Sequence, residues 1–318
     1  MNILVIKHGA LGDFVMASGA MKSIRKHFAK DNILLLTEEK NINFFKLIPY
    51  FNSFKKDNRK SIFFSIFTIL NIVFFQKIDL VIDLQNSSRT QIYHFFIRKF
   101  TKVKISSSRN HSHYRYIIPK QGDEHVIQGL NNQLTLLGLK NFEDPDLSWM
   151  IKNFNKKVKK KYIILIPGAS KTGSYKKWPE DRYAKLSNHF IENGFDIYLT
   201  GSNEDMKTMN LIKASCPLAK IKIDESRIEN FLELCQNASF IVANDTGPTH
   251  IAALSNRPLF WIAIDNSISK ACQPFGKRVI PILSKNILEI DPKKVIDKIY
   301  SFILFYELHN ICDDMNFF

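Results

Sequence analysis

Cysteine is scarce in this chain, and its scarcity argues against two classes of small cross-linked protein. The 318 residues include four cysteines, and no two of them form a CxxC pair. A disulfide framework and a zinc ribbon are therefore disfavoured, and we expect a reducing compartment. The four are Cys216, Cys235, Cys272 and Cys312.

Long apolar runs are also lacking. The strongest, Ile62–Phe75, has fourteen residues, whereas a helix that spans a bilayer needs about 20. The N-terminal run is broken at Lys7 and His8, too early for a signal peptide. We therefore expect no spanning or targeting segment, and we expect the first apolar run to form a buried strand.

Acidic residues are few relative to basic ones. The chain has 30 Asp and Glu against 45 Lys and Arg, which gives a formal net charge of +15. Such an excess attracts an anionic partner: a nucleotide, a nucleic acid or a membrane surface. Hydrophobic residues make up 45% of the chain, with 26 Phe, so a disordered or fibrous protein is excluded.

The apolar run Ile62–Phe75 has two interpretations. Ser65, Thr68 and Asn71 recur every third residue and form a narrow polar stripe on a broadly apolar helix. The helix either packs in a domain core or lies on an anionic membrane surface. In the second case the cations that precede it would meet lipid head groups. These cations are Lys55, Lys56, Arg59 and Lys60.

Strand-like and helix-like segments alternate through both halves of the chain. This alternation predicts two doubly wound α/β domains, and the length also suggests two. We predict an N-terminal domain at 1–152, a basic linker at 153–161, a second domain at 162–291 and a C-terminal helical segment at 292–318 that packs back on the N-terminal domain. The predicted strands span 3–6, 33–37, 79–83, 162–166, 196–200, 240–243 and 259–263. The predicted helices span 15–28, 62–75, 126–139, 179–193, 204–215, 228–238, 248–255 and 292–306.

The turns that follow the strands are the candidate site segments, because ligands of such folds bind beyond the carboxyl ends of the strands. The first turn, KHGALGD at 7–13, lacks the GxGxxG fingerprint, which counts against a dehydrogenase. Asp13 falls at the start of a predicted helix. It either caps that helix or projects its carboxylate as a general base.

Two turns of the second half suit phosphate groups. The turn at 167–179 is glycine-rich and basic, but Ser174 stands where a P-loop requires lysine. We expect a phosphate-binding loop of another kind. The turn NDTGPTH at 244–250 follows an apolar strand and opens a helix, so the amides of Thr246 and Gly247 would face a pyrophosphate.

Together these turns resemble those of the ADP-heptose:lipopolysaccharide heptosyltransferases, glycosyltransferase family nine. The resemblance rests on GALGDF (9–14), PGASKTGSYKKWPEDRYAKL (167–186) and NDTGPTHIAAL (244–254), with DLVIDLQNSSRT (79–90) and GSNED (201–205) also similar. It implies an α/β protein of the GT-B fold, in which two doubly wound Rossmann-like domains face each other across a cleft. One departure is Gly19, where the family usually has a proline in its first helix.

The resemblance also implies roles for individual residues. Asp13 aligns with the catalytic base, and Arg89 and Lys7 fall on the acceptor side. The implied reaction is an inverting transfer of heptose from ADP-heptose to a lipopolysaccharide inner-core acceptor, with no metal and no cofactor. The implied donor-binding residues are Thr172 and Lys176 for the phosphates, Glu204 for the ribose, and Asp245, Thr246, Gly247 and His250 for the pyrophosphate and sugar.

Other interpretations stay open at this point. Another nucleotide-sugar donor or another glycan acceptor would use the same turns. The charge alone also permits a non-catalytic nucleotide-binding or nucleic-acid-binding protein, although the sequence contains no known nucleic-acid module. We expect a cytoplasmic enzyme, peripheral at the inner face of the cytoplasmic membrane, with an anionic glycolipid acceptor and no nucleic-acid partner.

Overall fold

The chain divides into two compact units, residues 1–150 and 151–318. The computed structural model describes residues 1–39, 47–59, 61–120, 122–150, 161–169, 171–223 and 228–308. The predicted linker lies outside these residues except for Lys161, as does Lys60 of the basic cluster. The predicted fold class, α/β with two doubly wound domains, is confirmed by the two sheets described next.

The first unit is built around a parallel sheet of six strands in the order β3-β2-β1-β4-β5-β6. Its central strands form because they are continuous apolar runs, and a parallel sheet with helices on both faces buries both sides of each strand. Ile3, Leu4, Val5 and Ile6 of the first strand have no exposed surface. The strands are β1 (Asn2–Ile6), β2 (Asn32–Glu38), β3 (Ser53–Asp57), β4 (Leu80–Asp83), β5 (Lys104–Ser107) and β6 (Tyr114–Arg115). The helices are α1 (Leu11–His27), α2 (Ile62–Phe75), α3 (Ser88–Phe100) and α4 (Val126–Thr135), with a 3-10 turn at Ser148–Met150.

The second unit repeats this plan with the order β12-β11-β10-β7-β8-β9, again with all described pairs parallel. Trp178 and Trp261 are fully buried in it. Its strands are β7 (Tyr162–Ile166), β8 (Asp196–Leu199), β9 (Lys220–Ile221), β10 (Phe240–Asn244), β11 (Leu259–Ile264) and β12 (Val279–Ser284). Its helices are α5 (Glu180–Glu192), α6 (Met206–Ser215), α7 (Ile228–Gln236), α8 (Gly247–Ala253), α9 (Ser267–Ala271) and α10 (Pro292–Leu308), with 3-10 turns at Lys171–Lys176, Asn203–Asp205 and Ile287–Glu289.

The strand order of each sheet reverses at one place. In the first unit β1 lies beside β4, and in the second unit β7 lies beside β10. A doubly wound sheet opens a crevice beyond the carboxyl ends of its strands at such a reversal, and ligands bind there. The turns after β1, β4, β7 and β10 are therefore the segments that the fold brings to each candidate site.

The C-terminal helix α10 packs in the core of the second unit. Val295, Ile299 and Ile303 are buried in the core of the second unit, together with Trp178 and Phe190. Tyr300 of α10 also contacts α5, where its hydroxyl lies 3.0 Å from His189 Nε2. These contacts attach the helix to the second unit, and the predicted packing of 292–318 against the N-terminal domain stays a prediction. Residues 309–318 lie outside the described residues.

Helix α1 is crossed at Gly19 by the segment 143–146. A Cβ at Gly19 would lie 2.3 Å from the carbonyl oxygen of Glu143, so any side chain would collide with this segment. The hydroxyls of Ser18 and Ser23 accept hydrogen bonds from the amides of Asp146 (3.2 Å) and Glu143 (2.8 Å). Glycine therefore allows this backbone to lie directly on α1.

Helix α2 packs on the first sheet by one face, as the first of the two interpretations predicts, and its contact with a membrane stays a prediction. One face is buried, with Ser65, Ile69, Ile72 and Val73 turned to the protein, and its apolar members join the core on one side of the first sheet. The opposite face is exposed. Among the described helices, none is both long enough and apolar enough to cross a membrane.

Candidate active site

The first turn, between β1 and α1, is shaped by Gly9. This residue has φ +100°, a conformation that a residue with a Cβ rarely adopts. A Cβ there would also lie 3.1 Å from Asp13 Oδ2 and 3.4 Å from Gln85 Oε1. Gln85, in the turn after β4, accepts the amide of His8 at 2.9 Å and so holds the two turns together.

Asp13 does not cap α1. The N-cap is Ala10, which makes no side-chain cap bond, and Asp13 is the third residue of the helix. Its side chain is exposed, and the positive end of the helix dipole favours a negative charge in this first turn. The sequence left two roles open for Asp13. The geometry excludes the role of helix cap, and Asp13 remains as an exposed carboxylate on a rigid turn.

Lys7 lies beneath this turn rather than on its surface. The side chain is buried, and its Nζ donates to the carbonyl of Leu84 at 3.3 Å. Burial lowers the pKa of Lys7, against the opposing effect of the Asp13 and Asp83 carboxylates. The resemblance assigned Lys7 to the acceptor side, and this assignment stays a prediction.

A buried polar network supports the turn from below. Asp57, at the end of β3, accepts hydrogen bonds from Ser65 Oγ and Tyr93 Oη, both at 2.7 Å. Burial would raise the pKa of Asp57, but these two hydrogen bonds and the nearby His8 hold it below its usual value. His8 Nε2 lies 3.4 Å from Asp57 Oδ2. Burial lowers the pKa of His8 to about 4, so its imidazole is neutral at neutral pH.

Arg89 belongs to the same network. Its Nε donates to Tyr93 Oη at 2.9 Å, and its Nη2 donates to Ser65 Oγ at 3.0 Å and to the carbonyl of Arg59 at 3.1 Å. Arg89 is therefore linked through two hydroxyls to Asp57, and it ties α3 to the start of α2. These contacts give Arg89 a structural role, and its predicted contact with an acceptor has yet to be tested.

Lys176 joins two turns of the second unit through an ion pair. Its Nζ lies 2.6 Å from Asp245 Oδ2, and both side chains are largely shielded from solvent. Burial would lower the pKa of Lys176, but the hydrogen bond to Asp245 and its charge raise it. The turn after β7 and the turn after β10 are therefore joined by an ion pair at the reversal of the sheet. Thr172 lies in the 3-10 turn Lys171–Lys176.

Asn244 holds the same two turns together, and sequence analysis did not assign it a role. It has no exposed surface. Its Nδ2 donates to the carbonyl of Pro167 at 2.8 Å, and its Oδ1 accepts Tyr183 Oη at 2.9 Å and the amide of Trp178 at 3.4 Å. The sequence signal for this role was a polar residue, Asn244, at the end of the otherwise apolar strand β10.

Asp205 fixes the turn after β8. Its Oδ2 accepts the amide of Ser202 at 2.9 Å and the Ser202 hydroxyl at 2.8 Å. A Cβ at Gly168 would lie 2.5 Å from the Asp205 carboxyl group, so this glycine lets the turn after β7 approach the turn after β8. Glu204, the predicted ribose-binding residue, is exposed on the same turn.

The remaining predicted donor residues surround the start of α8. Thr246 is its N-cap without a side-chain cap bond, and Gly247 is its first residue. The first amides of a helix have no partner within the helix, so these amides suit an anion. His250 is buried in the same helix. Within the described part of the chain, no three His, Cys, Asp or Glu side chains come together as metal ligands.

Comparisons with solved structures agree with this architecture. The structure of ADP-heptose LPS heptosyltransferase II from E. coli matches with a TM-score of 0.75 and 19% identity, over 96% of this chain and all of that chain. A glycosyltransferase family 9 protein of Veillonella parvula matches with a TM-score of 0.80 and 16% identity, over 96% of this chain and 97% of that chain. The fold class is therefore GT-B.

Sequence comparisons give the family. The profile of glycosyltransferase family 9 (heptosyltransferase) matches residues 73–287, which is more than half of the chain. The chain belongs to glycosyltransferase family 9.

Individual relatives differ in how much of their length is matched. Lipooligosaccharide heptosyltransferase 2 of Campylobacter jejuni serotype O:2 is 26% identical over 94% of this chain and 97% of the relative. Lipopolysaccharide heptosyltransferase 2 of Salmonella typhimurium is 26% identical over 49% of this chain and 51% of the relative. The match thus spans about half the length of the Salmonella relative.

Proposed function

We propose that this protein is an inverting, metal-independent glycosyltransferase that moves a heptose from ADP-heptose to a lipopolysaccharide inner-core acceptor. The second unit binds the donor and the first unit binds the acceptor. The enzyme acts in the cytoplasm, peripheral at the inner face of the cytoplasmic membrane. The observation that carries the proposal is the exposed Asp13 carboxylate, which caps nothing and stands on a rigid strand–helix turn.

The donor assignment is supported by the chemistry of the second unit. Lys176 supplies a charged ammonium group, and the amides of Thr246 and Gly247 supply hydrogen-bond donors at the start of α8. Helix α8 has seven residues, so the amides themselves rather than a long helix dipole would hold the diphosphate. We assign Thr172 to the phosphates, Glu204 to the ribose, and Asp245 and His250 to the sugar side.

The bound diphosphate would displace the present ion pair. Lys176 now neutralises Asp245 at 2.6 Å, and a diphosphate offers the ammonium group a stronger anion. Asp245 would then be released to accept hydrogen bonds from sugar hydroxyls. The ion pair therefore keeps both side chains in place until the donor arrives.

The chemical step is a single displacement. The acceptor hydroxyl oxygen attacks the anomeric carbon of the heptose, and its proton passes to Asp13. The bond between that carbon and the phosphate oxygen breaks, and its electron pair leaves with ADP. Lys176 and the backbone amides stabilise the charge that develops on the leaving diphosphate. One displacement inverts the anomeric centre.

Substitution of Asp13 tests this assignment. We expect Asp13→Ala to lower kcat roughly 100- to 10,000-fold and to leave ADP affinity unchanged, because Asp13 does not belong to the donor-binding unit. ADP release and mass spectrometry of the glycolipid product give the readout. Asp123→Ala, which removes another exposed carboxylate of the first unit, is the matched control. Near-normal turnover of a folded Asp13→Ala protein would remove Asp13 from the role of base.

A donor panel tests the substrate. We expect ADP to be released from ADP-heptose with a kcat/KM well above the corresponding values for UDP-sugars and GDP-sugars. Faster release of UDP or GDP would assign a different donor to the same turns. Tight, salt-sensitive binding of generic DNA that Asp13→Ala leaves unchanged, without turnover of any donor, would point to a nucleic-acid-binding protein instead.

A further inference from the structure

Helix α2 exposes an unusual number of aromatic side chains. Five phenylalanines on it are more than half exposed, from 56% to 80% of their surface. At about 100° per residue they fall within one arc of about 120°, opposite the buried Ile69 and Ile72. They therefore share one face of the helix rather than being scattered around it, and Asn71 lies on that face between Phe67 and Phe74. The five are Phe63, Phe64, Phe67, Phe74 and Phe75.

Helix α3, beside α2, also exposes apolar side chains. It contacts α2, and the buried residues of both helices lie in one core cluster on the same side of the first sheet. Ile92, Phe95 and Phe100 are exposed on it, each by 40% or more. We call the outward surface of α2 and α3, which carries these residues, the aromatic face. Contiguous apolar surface of this kind marks an interaction site.

The charged residues of the two helices that form the aromatic face have one sign. Neither α2 nor α3 contains an Asp or Glu, and residues 84–122 contain eight Lys and Arg and no acid. Arg98 and Lys99 are exposed in the last turn of α3, and Lys99 Nζ lies 5.7 Å from the ring centre of Phe100. Lys77, two residues after α2, is exposed as well, and so is Asp79. On the two helices themselves, apolar side chains are thus combined with cations alone.

This combination selects one occupant. A second copy of the chain would bring like charges together, with no carboxylate on either helix to pair them, and such contacts are disfavoured. An anionic bilayer offers phosphates to the cations and an acyl boundary to the rings. We propose that the aromatic face is a membrane-docking surface, which inserts phenylalanine side chains of α2 into the head-group region of an anionic lipid leaflet.

The proposal deepens the proposed function, because a surface-bound enzyme would meet a glycolipid acceptor in the plane of the membrane. The biological meaning of the docking surface rests on the proposed function. The experiment that tests the docking surface does not depend on that function. Vesicle binding is measured on the whole chain without donor or acceptor. A protein that binds vesicles but transfers no heptose would overturn the proposed function and leave the docking surface in place.

Flotation with lipid vesicles is the experiment. We expect the protein to float with vesicles of phosphatidylcholine containing about a third phosphatidylglycerol, to bind pure phosphatidylcholine weakly, and to detach as salt rises. The triple variant Phe64→Gln, Phe67→Gln, Phe75→Gln should lower the partition constant at least tenfold, since burial of one exposed phenylalanine is worth about tenfold or more. These side chains are exposed, so the thermal unfolding of the variant should match that of the parent.

Matched variants distinguish docking through the aromatic face from non-specific adsorption to vesicles. Leu211→Gln with Leu218→Gln removes exposed apolar side chains of the second unit and should leave flotation unchanged. Arg98→Gln with Lys99→Gln should weaken binding to anionic vesicles only, whereas Lys213→Gln with Lys277→Gln, exposed cations of the second unit, should not.

Three results would overturn the proposal. The first is a parent chain that does not float with anionic vesicles. The second is a triple phenylalanine variant that floats as well as the parent. The third is a parent chain that sediments as a dimer which the triple variant dissociates, with vesicle binding unaffected; this result would assign the aromatic face to contact between copies.

Discussion

Removal of Asn244 should destabilise the second unit by about 3 kcal/mol. In Asn244→Ala the carbonyl of Pro167, the amide of Trp178 and the hydroxyl of Tyr183 lose their partner. Each is buried, and a buried polar group left unpaired costs about 1 kcal/mol or more. The Tyr183 hydroxyl keeps a long contact to the Ile166 carbonyl at 3.4 Å, which offsets part of its loss. Three such groups account for the expected total.

The assay is urea unfolding followed by far-ultraviolet circular dichroism. A loss of about 3 kcal/mol corresponds to a fall of roughly 1–2 M in the urea midpoint. The same substitution frees the Pro167 turn from the turn after β10, so the ADP dissociation constant, measured by calorimetry, should rise about tenfold because the binding groups are no longer held in position. Tyr183→Phe removes one of the three contacts and should cost about 1 kcal/mol.

The double variant gives the sharper test. Asn244 and Tyr183 share one hydrogen bond, so the two losses should not add, and Asn244→Ala with Tyr183→Phe should cost at least about 0.5 kcal/mol less than the sum of the single variants. Strict additivity, or a loss below about 1 kcal/mol for Asn244→Ala alone, would refute the role of Asn244 as the link between the two turns.

Three further substitutions probe other parts of the structure. Gly168→Ala should displace the Asp205 carboxyl group, weakening ADP binding in calorimetry and costing about 1–3 kcal/mol; unchanged affinity would show that the turn adapts freely. Gly19→Ala should cost a similar amount in urea unfolding without changing ADP affinity, because it acts in the first unit; a loss of ADP affinity would contradict this separation. His8 has a pKa of about 4 in the folded chain against 6.5 when unperturbed. The unfolded chain therefore takes up the proton first, and stability should fall as pH drops from about 6.5 to about 4. In His8→Leu the slope of stability against pH should be shallower across this range, and an unchanged slope would exclude His8 as its source.

The central strands could be predicted from sequence because burial on both faces leaves a plain apolar run. β1, β7 and β10 are of this kind, and each matches its predicted position to within one residue. β3 was not predicted, because its sequence SFKKD has no apolar run. β3 is an edge strand, and charged side chains on an edge strand protect it from pairing with other chains. β6 and β9 have two residues each, too few for any periodicity.

Features of the candidate site also differ in whether they could be predicted from sequence. The turns that carry Asp13, Lys176 and Asp245 were predicted because each follows a strand whose end could be located, whereas the roles of Lys176 and Asp245 came from the family resemblance. The contact between His8 and Asp57 could not be predicted, since it depends on how β1, β2 and β3 pair.

In one of the two interpretations the basic cluster before α2 contacts lipid, and the structure pairs two of its four cations with acids. Lys56 lies 2.8 Å from Glu39, and Arg59 contacts Glu38. These acids are distant in sequence and come near only through the pairing of β2 with β3. The exposed cations beside the aromatic face are instead Arg98 and Lys99 at the end of α3.

The positions of the three tryptophans allow intrinsic fluorescence to report on unfolding of the two units. Trp178 and Trp261 are fully buried in the second unit, and Trp149 is partly exposed near the end of the first. Trp178 is further fixed by its ring nitrogen, which donates to the Ile290 carbonyl at 2.7 Å, and by its amide contact with Asn244. Two of the three tryptophans therefore report on the second unit, and Trp149 reports on the first. A denaturation curve recorded by fluorescence and one recorded by circular dichroism should separate wherever the two halves melt at different points, and the earlier curve identifies the weaker half.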